Sequence, residues 1–372
     1  MPPFKIAHTI AEDWAHAAKE CADGLGKEVE TANLGFVYIT DELAEDFSSI
    51  LTYLRQKTGI GCWVGGSAMG ICAGSKEYFE RPAMVVMAAT LPEDSVCVFP
   101  SFSESIDELS NHAKDWIGRM YPKFGIIHGD PNNDNMGDLI KQLAEATSGF
   151  LVGGMTSSRA DSCHQVAGRV TGGGVSGALF SPDVEVITGL SQGCVPVAGS
   201  HIISDCLDNV LIGLDGRRAL DVFREDAAGV IDDEMTHIPG IIHAAILIEG
   251  SDTGDYMVRN LIGIDSVRGW LAIGCNVHSG ERIMFVRRDE NTVRDDMRVM
   301  LERLKRRISG KPKGGVYFSC VARGPSAFGD EGGETGVIRE VLGDFPLVGF
   351  FAGGEISNSR LYSHTGVLAL FL

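Results

Sequence analysis

Three times the sequence writes a short apolar run that closes on two glycines and then turns polar: GCWVGGS at 61–67, GFLVGGMTSS at 149–158 and GFFAGGEISN at 349–358. Such a phrase constrains the fold because glycine has no Cβ to keep a neighbouring strand or a ligand at a distance, and it reaches positive φ freely. Each phrase stands in similar surroundings. Apolar periodicity predicts a strand (35–40, 124–129, 315–320) and then a helix (41–57, 134–147, 334–342). The strand ending in the glycines follows, and after it another strand (83–90, 174–180, 365–372). Helical spacing also covers 7–23, 104–118, 217–226 and 292–307. A less regular copy is expected from 243 to 288, through HAAILIEG, WLAIGC and ERIMFVRR, with Cys275 where a second glycine would fall.

Strands that are apolar on both faces, such as AMVVMA (83–88) and VLALFL (367–372), need covering on both sides. The expected fold class is therefore α/β (α+β): two pseudo-symmetric halves built from repeated β-α-β-β elements, with mixed sheets flanked by helices. A chain of 372 residues fits two domains. The boundary is expected in the acidic, turn-forming stretch REDAAGVIDDEMTHIPG (224–240), giving domains 1–230 and 231–372.

Charge and composition exclude several function classes. A formal net charge of −18 repels nucleic-acid phosphates and anionic headgroups, and the one basic cluster (Arg303, Lys305, Arg306, Arg307) reads as a helix end. The longest apolar runs, such as Ala83–Leu91, are too short to span a bilayer, and no leader pattern opens the chain, so a cytoplasmic location is expected. Nine cysteines without a Cys-x-x-Cys pair speak against a disulfide scaffold and a zinc site. GDPNNDNMGD (129–138) has Asn135 and Lys141 where a calcium loop needs Gly and Glu. Phosphate-cradling glycine loops are missing, and neither a cofactor nor a metal is expected.

The polar residues after the glycines are the candidate lining of a small-molecule pocket at strand ends: Ser67; Thr156, Ser157, Ser158 and Arg159; Glu355, Ser357 and Asn358. The alternative is tight packing at a bend. Arg159 or Arg323 offers a bidentate fork for a ligand carboxylate, unless acidic neighbours hold it, and Glu355 could answer an ammonium. Gln192 and Cys194 in SQGCVPV, and Cys320 in FSCVARG, are further candidates, with His164, His201 and His364 as possible bases. Arg323, three residues after Cys320, would favour a thiolate. Nothing ties these groups into a nucleophilic triad.

These stretches resemble the FIST sensory proteins, whose paired N- and C-terminal FIST domains occur in bacterial signalling proteins and in an F-box ubiquitin-ligase receptor. IGCWVGGSAMGI, GFLVGGMTSS, GVSGALF and SQGCVPVAGSHIIS carry the resemblance in the first domain. VYFSCVARG, Glu334, PLVGFFAGGEIS and HTGVLALF carry it in the second. The resemblance implies a sensor of small ligands, with amino acids or related metabolites the proposed ligands, and supplies no catalytic residues. No kinase, cyclase or F-box segment is visible, so signalling would run through a partner or through self-assembly into an oligomer. A cysteine-dependent enzyme using Cys320 or Cys194, and a scaffold protein, are the alternatives.

Overall fold

Strand polarity and helix placement follow from alternating side chains. The computed structural model describes residues 3–26, 29–159, 163–228, 230, 241–248, 256–328 and 333–372. The chain first runs β1 (Phe4–Ile10), α1 (Trp14–Leu25), β2 (Leu34–Thr40), α2 (Phe47–Thr58), β3 (Trp63–Ala68), β4 (Gly70–Ala73), β5 (Lys76–Phe79) and β6 (Ala83–Ala89). It continues through β7 (Val96–Phe102), α3 (Asn111–Met120), β8 (Phe124–Gly129), α4 (Met136–Thr147), β9 (Phe150–Met155), β10 (Gln165–Ala167), β11 (Val170–Thr171), β12 (Val175–Phe180) and β13 (Val186–Ser191). The helical spacing read over 7–23 starts too early. Residues 4–10 pair with β6, and the helix begins only after Asp13, whose carboxylate accepts the N–H groups of Ala15 and His16 at 3.0 Å.

Next come β14 (Val195–Pro196), β15 (His201–Leu207), β16 (Val210–Leu214), β17 (Arg217–Arg218), α5 (Ala219–Asp226), β18 (Ile242–Leu247), β19 (Tyr256–Asp265), β20 (Trp270–Ile273), β21 (Arg282–Arg287) and α6 (Glu290–Lys305). The remaining elements are β22 (Gly314–Cys320), α7 (Gly324–Phe328), α8 (Gly333–Leu342), β23 (Leu347–Ala352), β24 (Glu355–Ser357), β25 (Arg360–Tyr362) and β26 (Gly366–Phe371). Contacts group the chain into two units, Met1–Ser191 with Met297–Leu372, and Gln192–Asp296. The sequence boundary expected near 230 thus falls within the smaller unit, and residues 229 and 231–240 of the acidic stretch lie outside the described residues.

In the larger unit one connection occurs three times. A helix joins two parallel strands, β2 to β3, β8 to β9 and β22 to β23, and an antiparallel strand flanks the first of each pair. The sheets run β1-β6-β2-β3-β10-β11, β7-β12-β8-β9-β24-β25 and β13-β26-β22-β23-β4-β5. The last two strands of each sheet are a hairpin that another sheet supplies. β3 hands β4–β5 to β23, β9 hands β10–β11 to β3, and β23 hands β24–β25 to β9.

The double-faced strands are covered as their pattern demands. Phe36 and Tyr38 of β2, with Val85 and Met87 of β6, join a core shared with Ile126, Val152, Phe318 and Phe350. Val37, Ile39, Met84 and Val86 point the other way, onto α1 and α2. Where the sheets converge, Tyr38, His128 and Phe318 occupy matching positions three residues after a glycine in β2, β8 and β22. The Tyr38 hydroxyl lies 3.1 Å from His128 Nε2, and Phe350 contacts all three rings. Burial pulls His128 down to about 3, so its imidazole is neutral.

The glycine doublets do not end the first two strands. Gly65 and Gly153 sit inside β3 and β9, opposite Val37 and Ile127. A Cβ there would stand 1.7 Å and 1.8 Å from those residues' carbonyl oxygens. The matching residue of β23 is Gly349, opposite Tyr317, where a Cβ would stand 1.7 Å from the carbonyl. The third phrase is therefore shifted by one strand segment: β23 ends at Ala352, and Gly353 and Gly354 carry the chain across to Met155, which donates to Gly354 and accepts from Gly353.

The smaller unit departs from the expected repeat. Among the described residues of 242–287 the strands pair antiparallel, β18 with β19 and β21, and β19 with β20. β21, β15, β16, β20, β19 and β18 close into a barrel by the pairing of β18 with β21. Its filling includes Ile203, Leu211, Leu271 and Phe285, and Phe223 of α5 packs edge-on to Phe285 at 4.8 Å. His201 is held between two carboxylates, Nδ1 2.7 Å from Asp215 and Nε2 2.8 Å from Asp226. Burial lowers its pKa, but hydrogen bonds and charge from Asp215 and Asp226 outweigh that and leave it raised.

Two measurements check this account. Gly65→Ala or Gly153→Ala should cost about 3 kcal/mol or more in urea unfolding, since a backbone carbonyl cannot step aside, whereas Gly118→Ala, in an exposed helix position with open space, should be neutral or slightly stabilising. The raised pKa of His201 means its contribution is complete below about pH 6.5 and is lost as pH rises through the folded value. Wild type should therefore lose stability relative to His201→Gln across that window, and parallel curves would refute the ion-pair account.

Candidate functional site

β22 carries polar side chains inside a fully buried strand. Alternation places Tyr317 and Ser319 on one face, toward α8, where both hydroxyls donate to Glu334; Ser319 Oγ lies 2.7 Å and 2.9 Å from its two oxygens. Arg323, just past the strand, donates from Nε to Glu334 at 3.1 Å, and both side chains have no exposed surface. The guanidinium also reaches the Ser191 carbonyl and hydroxyl, each at 3.3 Å, and the His364 carbonyl at 3.4 Å. It lies over the Phe328 ring at 5.3 Å. Gly366 permits this approach, because a Cβ there would stand 2.3 Å from the Tyr317 hydroxyl.

Two further carboxyls complete the cluster. Glu77, on the hairpin supplied by β3, accepts the N–H groups of Glu334 (2.9 Å) and Thr335 (2.8 Å) and so caps α8. Burial, then the charge of Glu334, pushes Glu77 up to about 7. Glu355 is fully buried. Its Oε2 accepts from the Thr365 N–H at 3.0 Å and hydroxyl at 2.8 Å, while Oε1 has no hydrogen-bond partner. Burial raises it to about 8 against the opposing pull of Thr365, the Arg323 charge and the Cys320 thiol. Glu355 is thus mostly a neutral acid at pH 7.

The structure gathers four of the predicted residues here: Cys320, Arg323, Glu355 and His364, whose backbone sits at φ 64°. Arg323 is held by Glu334 and so does not present an open fork. The others lie elsewhere. Thr156 donates to the Gly129 carbonyl (3.1 Å), and Ser157 donates to Phe351 (2.7 Å) and accepts from Met69 (3.0 Å). Arg159, which follows Ser158, is engaged by Asp41 and Glu42. Gln192 and Cys194 belong to the smaller unit, where Gln192 donates to the Tyr256 carbonyl (2.6 Å) and Cys194 accepts from the Tyr256 hydroxyl (3.0 Å). Of the possible bases, His201 is held by its two aspartates, and the His164 backbone N–H donates to Ser67 at 3.1 Å. Sequence reasoning missed Glu77 and Thr365. The alternation of Tyr317 and Ser319 in a buried strand was a signal for the Glu334 face, but KEYF (76–79) gives none for Glu77.

Among the described residues no group of His, Cys, Asp and Glu is arranged to hold a metal ion, and no helix is long and apolar enough to cross a membrane. A groove of about 530 Å³ opens elsewhere on the larger unit, lined by Lys123, Lys141, Glu145, Phe150 and Asn358 among others; of the predicted residues it includes Asn358.

A FIST N domain model matches residues 33–217 and a FIST C domain model residues 219–358. An uncharacterized protein of Mycobacterium tuberculosis is 28% identical over 384 residues, covering 99% of this chain and 97% of its own length. An uncharacterized protein of Mycobacterium bovis is 28% identical over 371 residues, covering 96% and 94%.

The raised pKa of Glu355 makes stability depend on pH in a defined sense. The folded state holds a proton that the unfolded chain gives up above about pH 4.3, so this contribution is complete below that value and is lost as pH rises to about 8. Wild type should lose stability relative to Glu355→Gln by about 1.4 kcal/mol per pH unit across the window and then level off. Urea unfolding at pH 5, 7 and 9 measures it, and a difference independent of pH would show that Glu355 is ionised when folded.

Proposed function

Since the chain belongs to the FIST family, a family of signal-transduction sensory domains, we propose that it is a small-ligand-binding sensory protein acting through a partner protein or its own assembly. The ligand is an amino acid or a related metabolite with a primary ammonium group, bound at Glu355 beside Cys320 and Thr365. The observation that carries this reading is the unpartnered Oε1 of a fully buried glutamate. A buried polar atom without a hydrogen-bond partner costs about 1–3 kcal/mol, and an ammonium paired with the ionised carboxylate would remove that cost. Arg323 has a positioning role here, because it fixes α8 and the strand end through Glu334. A cytoplasmic location fits nine free cysteines.

A second reading draws on the same pair of groups. A thiol next to a neutral acid is also a start toward acid–base or nucleophilic chemistry, and a cysteine-dependent enzyme would show rapid alkylation of Cys320 with loss of a turnover activity.

A thermal-shift panel of amino acids and common metabolites tests the sensor. A ligand at a hundred times its Kd adds about 2.7 kcal/mol. The shift should vanish in Glu355→Gln and persist in Arg159→Ala. A panel without a single shift, or one whose shift survives in Glu355→Gln, rules the reading out.

A further inference from the structure

Arg323 is paired with Glu334 at 3.1 Å, Glu77 accepts the backbone N–H of Glu334, and the Arg323 charge also acts on Glu355. Ionised Glu355 therefore lacks a cation of its own. Among the described residues the titratable groups around it are these. Cys320 ends β22 and Arg323 follows it, Glu334 stands behind Arg323 on α8, Tyr362 lies opposite on β25, and His364 precedes β26. β9 meets β24 with Gly154, Gly153 and Val152, which carry no titratable group. Because Oε2 accepts both bonds from Thr365, the carboxyl proton sits on Oε1, the atom without a partner.

We propose that Glu355 exchanges this proton for the primary ammonium of the ligand, so that each binding event releases one proton to solvent. The deepened reading rests on the ligand site proposed above. The exchange balances: the neutral acid and an R–NH₃⁺ cation become a carboxylate–ammonium pair, the O–H bond breaks, and the proton leaves to buffer. At the Glu355 carboxyl the exchange is charge-neutral for the amine end of the ligand, because one cation replaces another. A ligand amine thus enters without adding net charge to a buried cluster, which would otherwise be costly. The signal is then sensitive to pH as well as to ligand.

Methylammonium chloride is the probe, with tetramethylammonium chloride as the control that cannot donate a hydrogen bond. Calorimetry in two buffers of different ionisation enthalpy counts protons. At pH 7 about one proton should be released per methylammonium bound, and apparent affinity should rise about tenfold from pH 6 to pH 7 and level off above pH 8. Glu355→Gln should abolish both effects. Binding without proton release, or no binding at pH 9 where the acid is ionised, overturns the exchange. The two levels separate cleanly: an amino-acid shift lost in Glu355→Gln but without a released proton keeps the site and sinks the exchange. Methylammonium exchange with no amino-acid shift keeps the exchange and sinks the ligand class.

Discussion

The larger unit depends on how closely two parallel strands approach at Gly65, Gly153 and Gly349. At each position the opposing carbonyl occupies the space a Cβ would need. No side chain can be accommodated there, so the strand must carry glycine or the pairing opens. The pairing in turn fixes the register of Tyr38, His128 and Phe318, whose rings meet in the shared core. The bare backbone thus serves strand packing in the first two copies, where the residue pattern alone left a ligand opening and a tight bend as equals.

Hairpin exchange converts three separate sheets into one interlocked body. Glu77 arrives on the hairpin of the first sheet to cap the helix of the third, and Glu355 lies on the hairpin that the third gives to the second. The buried polar cluster therefore draws on segments far apart in sequence. Its electrostatics follow from that assembly: Arg323 is paired with Glu334, and burial raises the pKa of both Glu77 and Glu355.

Much of the fold could be read from the residues. The strands 35–40, 124–129 and 315–320 and their helices stand where periodicity puts them, because double-faced apolar runs have one solution between layers. Partners across distance were invisible. Nothing in GICA says that it pairs with β23, since a strand of four residues reads the same beside any neighbour. The barrel was misread as a repeat because strand spacing alone does not distinguish parallel from antiparallel order. At the site, Cys320, Arg323 and Glu355 were named from the residues, but the ion pair that holds Arg323 depends on a packing that only coordinates reveal. Arg159 was the converse case, since its acidic partners Asp41 and Glu42 sit over a hundred positions away.

The pairing of β4 with β23 also bears on synthesis. Ile71 and its neighbours leave the ribosome long before Phe350, their partner in the third sheet, and the whole barrel is translated in between. During that interval the nascent β4–β5 hairpin presents an open edge, the kind of surface that chaperones shield and that invites pairing between chains. Completion of the third sheet is then the step that commits the larger unit, and a nascent chain stalled before β23 would be a client of the quality-control machinery.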